Sequence, residues 1–274
     1  MPALLRDHEF RTFYAPSDEP LENFYIPALT ASIQYDRSAG FFSSTALAVA
    51  ASGVAGLVRN GGRMRLLVGA DLSGEDVDAI RHGYDLKDRV RERMELRLVD
   101  VEDQLLKDRL AVLAWMVAEG TLEIRVVLPT DEYGLHIPAS ESADYYHPKQ
   151  GIFTDKEGNQ VAFSGSVNES ETGWKNNYET FLVFKSWEPS PHLGQIALDF
   201  EHLWEGKEKD WIALDIPEAV RQKLLKYKPA LLPDIDRVSE VPEEIAFGQL
   251  PTPQELGRER LVFATHPIWR MPRA

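Results

Sequence analysis

Apolar positions in the first 70 residues change period several times, and each change marks an element. Between Asp18 and Ala31, the residues Leu21, Phe24, Tyr25 and Ala28 fall on one side of a helical wheel, which predicts a helix with a single apolar face. Ile33 to Phe42 reads as a strand. Ser43 or Ser44 offers an N-cap for a helix running to about Arg59, and Asn60-Gly61-Gly62 stops it. Arg63 to Gly69 (RMRLLVG) is a second short strand. Helix, strand, helix, strand is an α/β rhythm.

Asp71 to Gly120 is mainly helical in pattern, with Leu86, Val90 and Met94, then Leu106, Leu110 and Leu113, at helical spacing. Leu122 to Leu128 is a strand. Pro129 to Tyr146 lacks a period and reads as a loop. Gly151 to Thr154 and Gln160 to Ser164 read as strands around a turn at Lys156-Glu157-Gly158-Asn159. Tyr178 to Lys185 is another strand and Pro191 to Trp204 another helix. After Trp211 the character changes. Pro217 to Tyr227 reads as one more helix, and Pro229, Pro233, Pro242, Pro251, Pro253, Pro267 and Pro272 follow. That density predicts an extended tail or linker. The expected organisation is one domain over residues 1–212 and a helical, Pro-rich extension over 213–274.

Composition narrows the class. The chain has 274 residues, 43% hydrophobic and 27% charged, ordinary for a globular protein and enough to bury a core without metals or disulfides. It contains no cysteine, which excludes disulfides and thiolate zinc sites. The N-terminus MPALLRDHEF has no apolar run of signal-peptide length. The most apolar stretch, Ser44 to Val58, is too short to span a bilayer. A soluble, cytoplasmic protein without membrane contact is expected. The net charge of −14 argues against a non-specific nucleic-acid coat. A small basic cleft in an acidic shell remains compatible with it, because screening limits remote charges to about 8 Å.

The chemistry concentrates in three strings: Tyr146-His147-Pro148-Lys149-Gln150-Gly151, Ser164-Gly165-Ser166-Val167-Asn168-Glu169-Ser170, and Asn176-Asn177-Tyr178-Glu179. Alternation along a strand brings the His147 and Lys149 side chains out on one face. Such a pair can share a phosphate, one attacking phosphorus and the other neutralising its oxygens. Gly165 permits a tight turn, after which Ser166 and Asn168 offer small polar groups. Asn168 lies 21 positions after His147, a separation that a hairpin closes. Glu179 opens an apolar strand, an odd place for a carboxylate without a partner.

His147-x-Lys149, Gly165-Ser166-x-Asn168 and Asn177-x-Glu179 together resemble the signature of the phospholipase D superfamily, and in particular its small nuclease and restriction-enzyme branch. They also resemble phospholipase-D-like modules at the N-termini of bacterial helicase-related and phage-defence proteins. The resemblance covers about residues 20 to 205. It implies an α/β fold, a phospholipase-D-like mixed β-sheet flanked by helices, with the Pro-rich tail appended. It implies catalytic roles for His147, Lys149, Asn168 and Glu179, substrate contacts from Ser166, Ser170 and Lys175, and no metal or other cofactor. Two departures stand out. The family's aspartate falls at Thr154, with Asp155 one place late. The six other histidines have no lysine two residues on. Because the family's chemistry uses two histidines, a single motif implies a homodimer with the site on its two-fold axis.

On this resemblance the chain is expected to be a metal-independent phosphodiesterase, a nuclease cleaving DNA through a phosphohistidine in phage defence or restriction. The Pro-rich tail is expected to tether a further partner such as a helicase-type motor; no Walker-type phosphate loop occurs in this chain. The alternatives are a catalytically silent nucleic-acid-binding module and, ranked lower, a lipid phosphodiesterase. The ordinary reading of several residues is structural: Asp155 as a turn residue with Gly158, Arg37 and Lys175 as solvated surface, Tyr145 and Tyr146 as packing beside the active strand or platforms for bases, and Trp174 as core or lid.

Overall fold

A computed structural model describes residues 3–40, 54–69, 104–133, 137, 146–166 and 179–216. The chain divides into two compact units, Met1–Glu240 and Val241–Ala274, and the second lies outside the described residues.

The described elements follow the predicted rhythm. A 3-10 turn at Leu5–Asp7 precedes the two-residue strand β1 (Phe13–Tyr14). The segment predicted as one helix from Asp18 is divided. A 3-10 turn at Pro16–Asp18 leads to a π-helical turn at Leu21–Tyr25 and then α1 (Ile26–Ala31). Its apolar face is as predicted, with Leu21, Phe24, Tyr25 and Ala28 buried. β2 (Gln34–Ala39), α2 (Val54–Arg59) and β3 (Arg63–Gly69) follow. Gly61, at φ +66°, takes the left-handed position that ends α2, and its N–H bonds Val58 O while that of Gly62 bonds Leu57 O. Then come α3 (Gln104–Glu119), β4 (Leu122–Pro129), β5 (Lys149–Thr154), β6 (Gln160–Gly165), β7 (Phe181–Lys185), α4 (Pro191–Trp204) and β8 (Trp211–Asp215). β8 and β1 were not anticipated from the sequence. The expected helices at 71–103 and 217–227, and the loop residues 138–145, lie outside the described residues.

Among the described residues the strands form one mixed sheet in the order β1-β7-β6-β5-β2-β3-β4-β8. β2, β3 and β4 are parallel; β5 runs antiparallel to β2, and β6 and β7 extend the sheet from it. The chain thus leaves β2 toward one side of the sheet and later returns to its other side. Such a reversal opens a crevice at the carboxyl ends of the parallel strands. The ends of β2, β3 and β6 and the starts of β5 and β7 all meet at that rim.

Helices cover both faces, as the alternation of apolar residues requires. On one face, Phe24 packs its ring at 5.0–5.8 Å from those of Phe153, Phe163 and Phe181, and Tyr35 stacks on its cross-strand neighbour Phe153 at 4.5 Å. On the other, Leu193, Ile196, Phe200 and Trp204 of α4 pack on Leu67, Val127, Ile152 and Ala162. Asp36 on β2 is buried there, and Arg65 meets it at 2.7 Å and Glu201 of α4 at 2.5 Å. Arg65 also lies over the Phe200 ring at 4.9 Å. Burial would lower the guanidinium's pKa, but the hydrogen bonds and charges of Asp36 and Glu201 outweigh it and hold Arg65 above its ordinary value. No helix among the described residues is long and apolar enough to cross a membrane.

Asp155 is a structural residue, at the end of β5 remote from the rim. It is 1% exposed. Its Oδ1 accepts the N–H groups of Glu157 and Asn159, both at 2.9 Å, and its Oδ2 that of Leu5 at 3.0 Å. One carboxylate therefore closes the β5–β6 turn and ties down the N-terminal segment. Burial opposes its charge, but hydrogen bonds from the Asn159 side chain and from the Leu5, Asn159 and Glu157 N–H groups prevail and hold the carboxyl below its usual value. The charged form stabilises the fold above the ordinary aspartate range, and this contribution disappears as pH falls through the lowered folded-state value. Asp155→Asn should cost about 1–3 kcal/mol near neutral pH. In denaturant unfolding, the difference from wild type should shrink on acidification; a difference constant with pH would refute the charge-based account.

Candidate active site

β5 begins at Lys149, and His147 lies two residues upstream, at the rim. Lys149 Nζ is 2.8 Å from His147 Nδ1 and 3.3 Å from Nε2. An ammonium only donates, so the ring nitrogen that it engages carries the imidazole lone pair. Lys149 is 9% exposed, and His147 is half-buried. Burial and then the Lys149 charge push the His147 pKa down, favouring neutral imidazole. Burial also lowers Lys149; the charge of Glu179 raises it, and that of Arg37 lowers it further.

Backbone approach makes this seat. Ala39 is the cross-strand partner of Lys149, and the next residue is Gly40. A Cβ on Gly40 would overlap His147 Cδ2 and stand 3.0 Å from Cγ. The imidazole therefore rests on the bare backbone just past β2. A Cβ on Gly69, at the end of β3, would meet Gly40 O at 2.6 Å and Tyr146 O at 3.0 Å, so three chain segments converge beneath the ring with no room for side chains.

Arg37 corrects the sequence reading of a solvated side chain. It is wholly buried, opposite Gly151 and 5.0 Å over the Phe163 ring. Strand alternation puts Arg37, Lys149 and Gly151 on one face. Two adjacent charges within the buried strand Gln34–Ala39 were the signal available. Gly40, by contrast, carried no signal, because its function is to leave space.

Glu179 is half-buried. It stands two residues before Phe181, and its charge acts on Lys149. The hydroxyl of Ser166 accepts the Thr180 N–H at 3.1 Å and donates to Thr180 O at 3.3 Å, while Ser166 N–H bonds the same carbonyl at 3.0 Å. Ser166 thus clamps the end of β6 to the residue beside Glu179. Asn168, Ser170 and Lys175 lie outside the described residues, as do Tyr145 and Trp174. The structure brings His147, Lys149 and Glu179 to one rim and adds Arg37 beneath them.

Tyr146 is buried in the core on the α4 face, and burial pushes its phenol pKa up. Among the described residues, no cluster of three or more His, Cys, Asp or Glu side chains could hold a metal ion. The site brings together an imidazole whose neutral form is favoured, an ammonium, a buried guanidinium and a carboxylate, a set suited to a tetrahedral anion.

No family model matches the chain, and no curated protein matches it. Solved structures do. The chain is similar to NucT from Helicobacter pylori at 13% identity and a TM-score of 0.40, covering 72% of this chain and 97% of that one. It is similar to Nuc from Salmonella typhimurium, a phospholipase D family member, at 11% identity and a TM-score of 0.39, covering 74% and 95%. It is also similar to phosphatidylserine synthase from Haemophilus influenzae Rd KW20 at 16% identity and a TM-score of 0.41, covering 78% of this chain and 44% of that one. Overlaps at this level fix no residue's role.

The seat on Gly40 is directly testable. In Gly40→Ala, the imidazole has to give way because the backbone beneath cannot. Fold stability should change little, while NMR titration should show the His147 pKa rising toward the ordinary imidazole value as its packing and the Lys149 contact are lost. An unmoved His147 resonance and titration would show that the ring does not rest there.

Proposed function

We propose that this chain is a phospholipase-D-type phosphodiesterase acting on nucleic acid, DNA in the first place. The observation carrying the reading is the His147–Lys149 contact over Gly40, with the charges of Arg37 and Glu179 bearing on Lys149. Phosphodiester oxygens entering the site take over the Lys149 ammonium, which frees the imidazole lone pair for attack on phosphorus. The P–N bond forms as the P–O bond to the leaving group breaks. His147 of the second copy, which takes up a proton as the phosphate anion enters, gives that proton to the leaving oxygen. Water then attacks the phosphohistidine and gives its proton back to that second imidazole. Asn168 joins Lys149 on the phosphate oxygens, Glu179 holds a ring nitrogen and sets the tautomer, and Ser166, Ser170 and Lys175 support or contact the substrate. The chain's own cations stabilise the charge, so the reaction as derived needs no metal or cofactor.

The site is completed in a homodimer, because one copy supplies one His147. The segment that follows β8 serves as a tether to a helicase-type partner in phage defence or restriction. Binding without turnover is the second reading, favoured by Thr154 standing where the family's aspartate falls.

In EDTA, His147→Ala should abolish cleavage of single- or double-stranded DNA without changing the unfolding transition; undiminished cleavage would remove the proposal. Nucleic acid retained but never cut by wild type would establish the second reading. Because burial and Lys149 hold His147 neutral to lower pH, the acid limb of kcat/KM should lie below the ordinary imidazole value. Lys149→Met should move that limb upward as well as reduce kcat. A limb unmoved by this substitution would separate Lys149 from the nucleophile.

The dimer is tested by mixing. After subunit exchange, equal amounts of wild type and His147→Ala should retain roughly a quarter of the wild-type rate per chain if both imidazoles serve one site. Retention of half would place a complete site in each chain.

A further inference from the structure

His147 also borders a cavity of about 440 Å³ on the α4 face, away from Lys149. Its walls include Tyr146 just ahead of β5, Gln150 within it, Asp199 from α4, and Glu208 and Trp211 at the entry to β8. No lysine or arginine is among the lining residues. The two sides of His147 therefore have opposite electrostatics. The Lys149 and Arg37 side accepts an anion. The cavity, with two carboxylates, repels one and suits a neutral group that donates hydrogen bonds.

Its geometry specifies the group further. Trp211 is half-buried, held by pairing with Pro129 and by the Tyr146 ring, whose centroid is 5.8 Å away at 62°. A fixed, partly open indole is a stacking surface for a flat ring. Gln195 donates to Asp199 Oδ1 at 2.7 Å and orients that carboxylate. Gln150 donates to Ser164 Oγ at 3.3 Å, which steadies its amide. The volume falls within the usual range of small-ligand sites, about 300–1,000 Å³.

We infer that this cavity is a nucleobase subsite, taking the base next to the phosphodiester held at His147, and that Asp199 and Glu208 favour bases with an exocyclic amine. The base stacks on Trp211, its amino group donates to a carboxylate, and the Gln150 amide meets the adjoining ring edge. Cytosine, adenine and guanine present such an amine; thymine presents a carbonyl, which a carboxylate repels. The inference rests on the phosphodiesterase reading for what lies beside the cavity, while the cavity's own affinity can be measured without turnover.

Two measurements separate the claims. In the first, deoxycytidine, deoxyadenosine, thymidine and choline are titrated separately into the full chain by calorimetry, with the Trp211 indole NMR signal locating the binding in wild type. Deoxycytidine and deoxyadenosine should bind roughly tenfold more tightly than thymidine. Asp199→Asn should erode the preference, and Trp211→Leu should remove binding. In the second, kcat/KM is compared for the p-nitrophenyl phosphodiesters of deoxycytidine and thymidine, with bis(p-nitrophenyl) phosphate as a substrate lacking a base. The deoxycytidine ester should be preferred by a similar factor, and Asp199→Asn should bring the ratio toward one. Equal affinity for all nucleosides, no nucleoside binding, or binding of choline alone overturns the subsite. If every diester is cut at the same rate and no nucleoside binds, the subsite falls while the phosphodiesterase reading stands. If amine-bearing nucleosides bind selectively and no diester is cut, the subsite stands and the hydrolytic reading falls.

Discussion

The rim depends on one contact, a lysine ammonium against an imidazole lying on a glycine backbone. Lys149 reaches His147 Nδ1 at 2.8 Å, and the ring lies where a Cβ on Gly40 would stand. Both groups lose hydration by being placed there, and each opposes the other's positive charge. The pair is therefore held neutral-plus-charged, one member able to attack and the other able to bind an anion. Arg37, buried on the same face, adds a second fixed positive charge behind them. Such a concentration of positive charge is unfavourable in a low-dielectric interior unless an anion completes it. Glu179 supplies a counter-charge to Lys149.

Position in the sheet turns that contact into a site. The reversal of strand direction between β2 and β5 brings the carboxyl ends of β2 and β3 against the chain entering β5. Gly40, Gly69 and the Tyr146 carbonyl pack there at backbone distance. The aromatic layer of Phe24, Phe153, Phe163 and Phe181 fixes one side of these strands. The Asp36–Arg65–Glu201 network ties the sheet to α4 on the other. These supports matter because a shift of about 1 Å in a reacting group can cost a hundredfold in rate.

Charge is divided across the rim. The chain is strongly acidic as a whole, yet Arg37 and Lys149 share one face, while Asp199 and Glu208 stand across His147 on the other. On the proposed reading, a phosphodiester with a neutral, amine-bearing substituent would meet both sides at once. Net charge therefore says little about the site, because local geometry decides which charges a ligand meets.

Periodicity alone determined much of the fold. The bounds of β3 and α4, the buried face of the first helical segment and the turn at residues 156–159 follow from local spacing, because side-chain direction repeats every 2 or 3.6 residues whatever the neighbours are. The order of His147-x-Lys149, Gly165-Ser166 and Glu179 along the chain likewise marked the rim's candidate groups. Local spacing could not reveal β1, only two residues long, or β8, which has no fully buried position to set an alternation; both exist through pairing with distant strands. It also could not show that Arg37 is buried, that Gly40 is the floor beneath His147, or that Ser166 bonds Thr180. Nor could it bring Trp211 to within a ring's distance of Tyr146. Those facts depend on which segments lie side by side, and only long-range packing sets that.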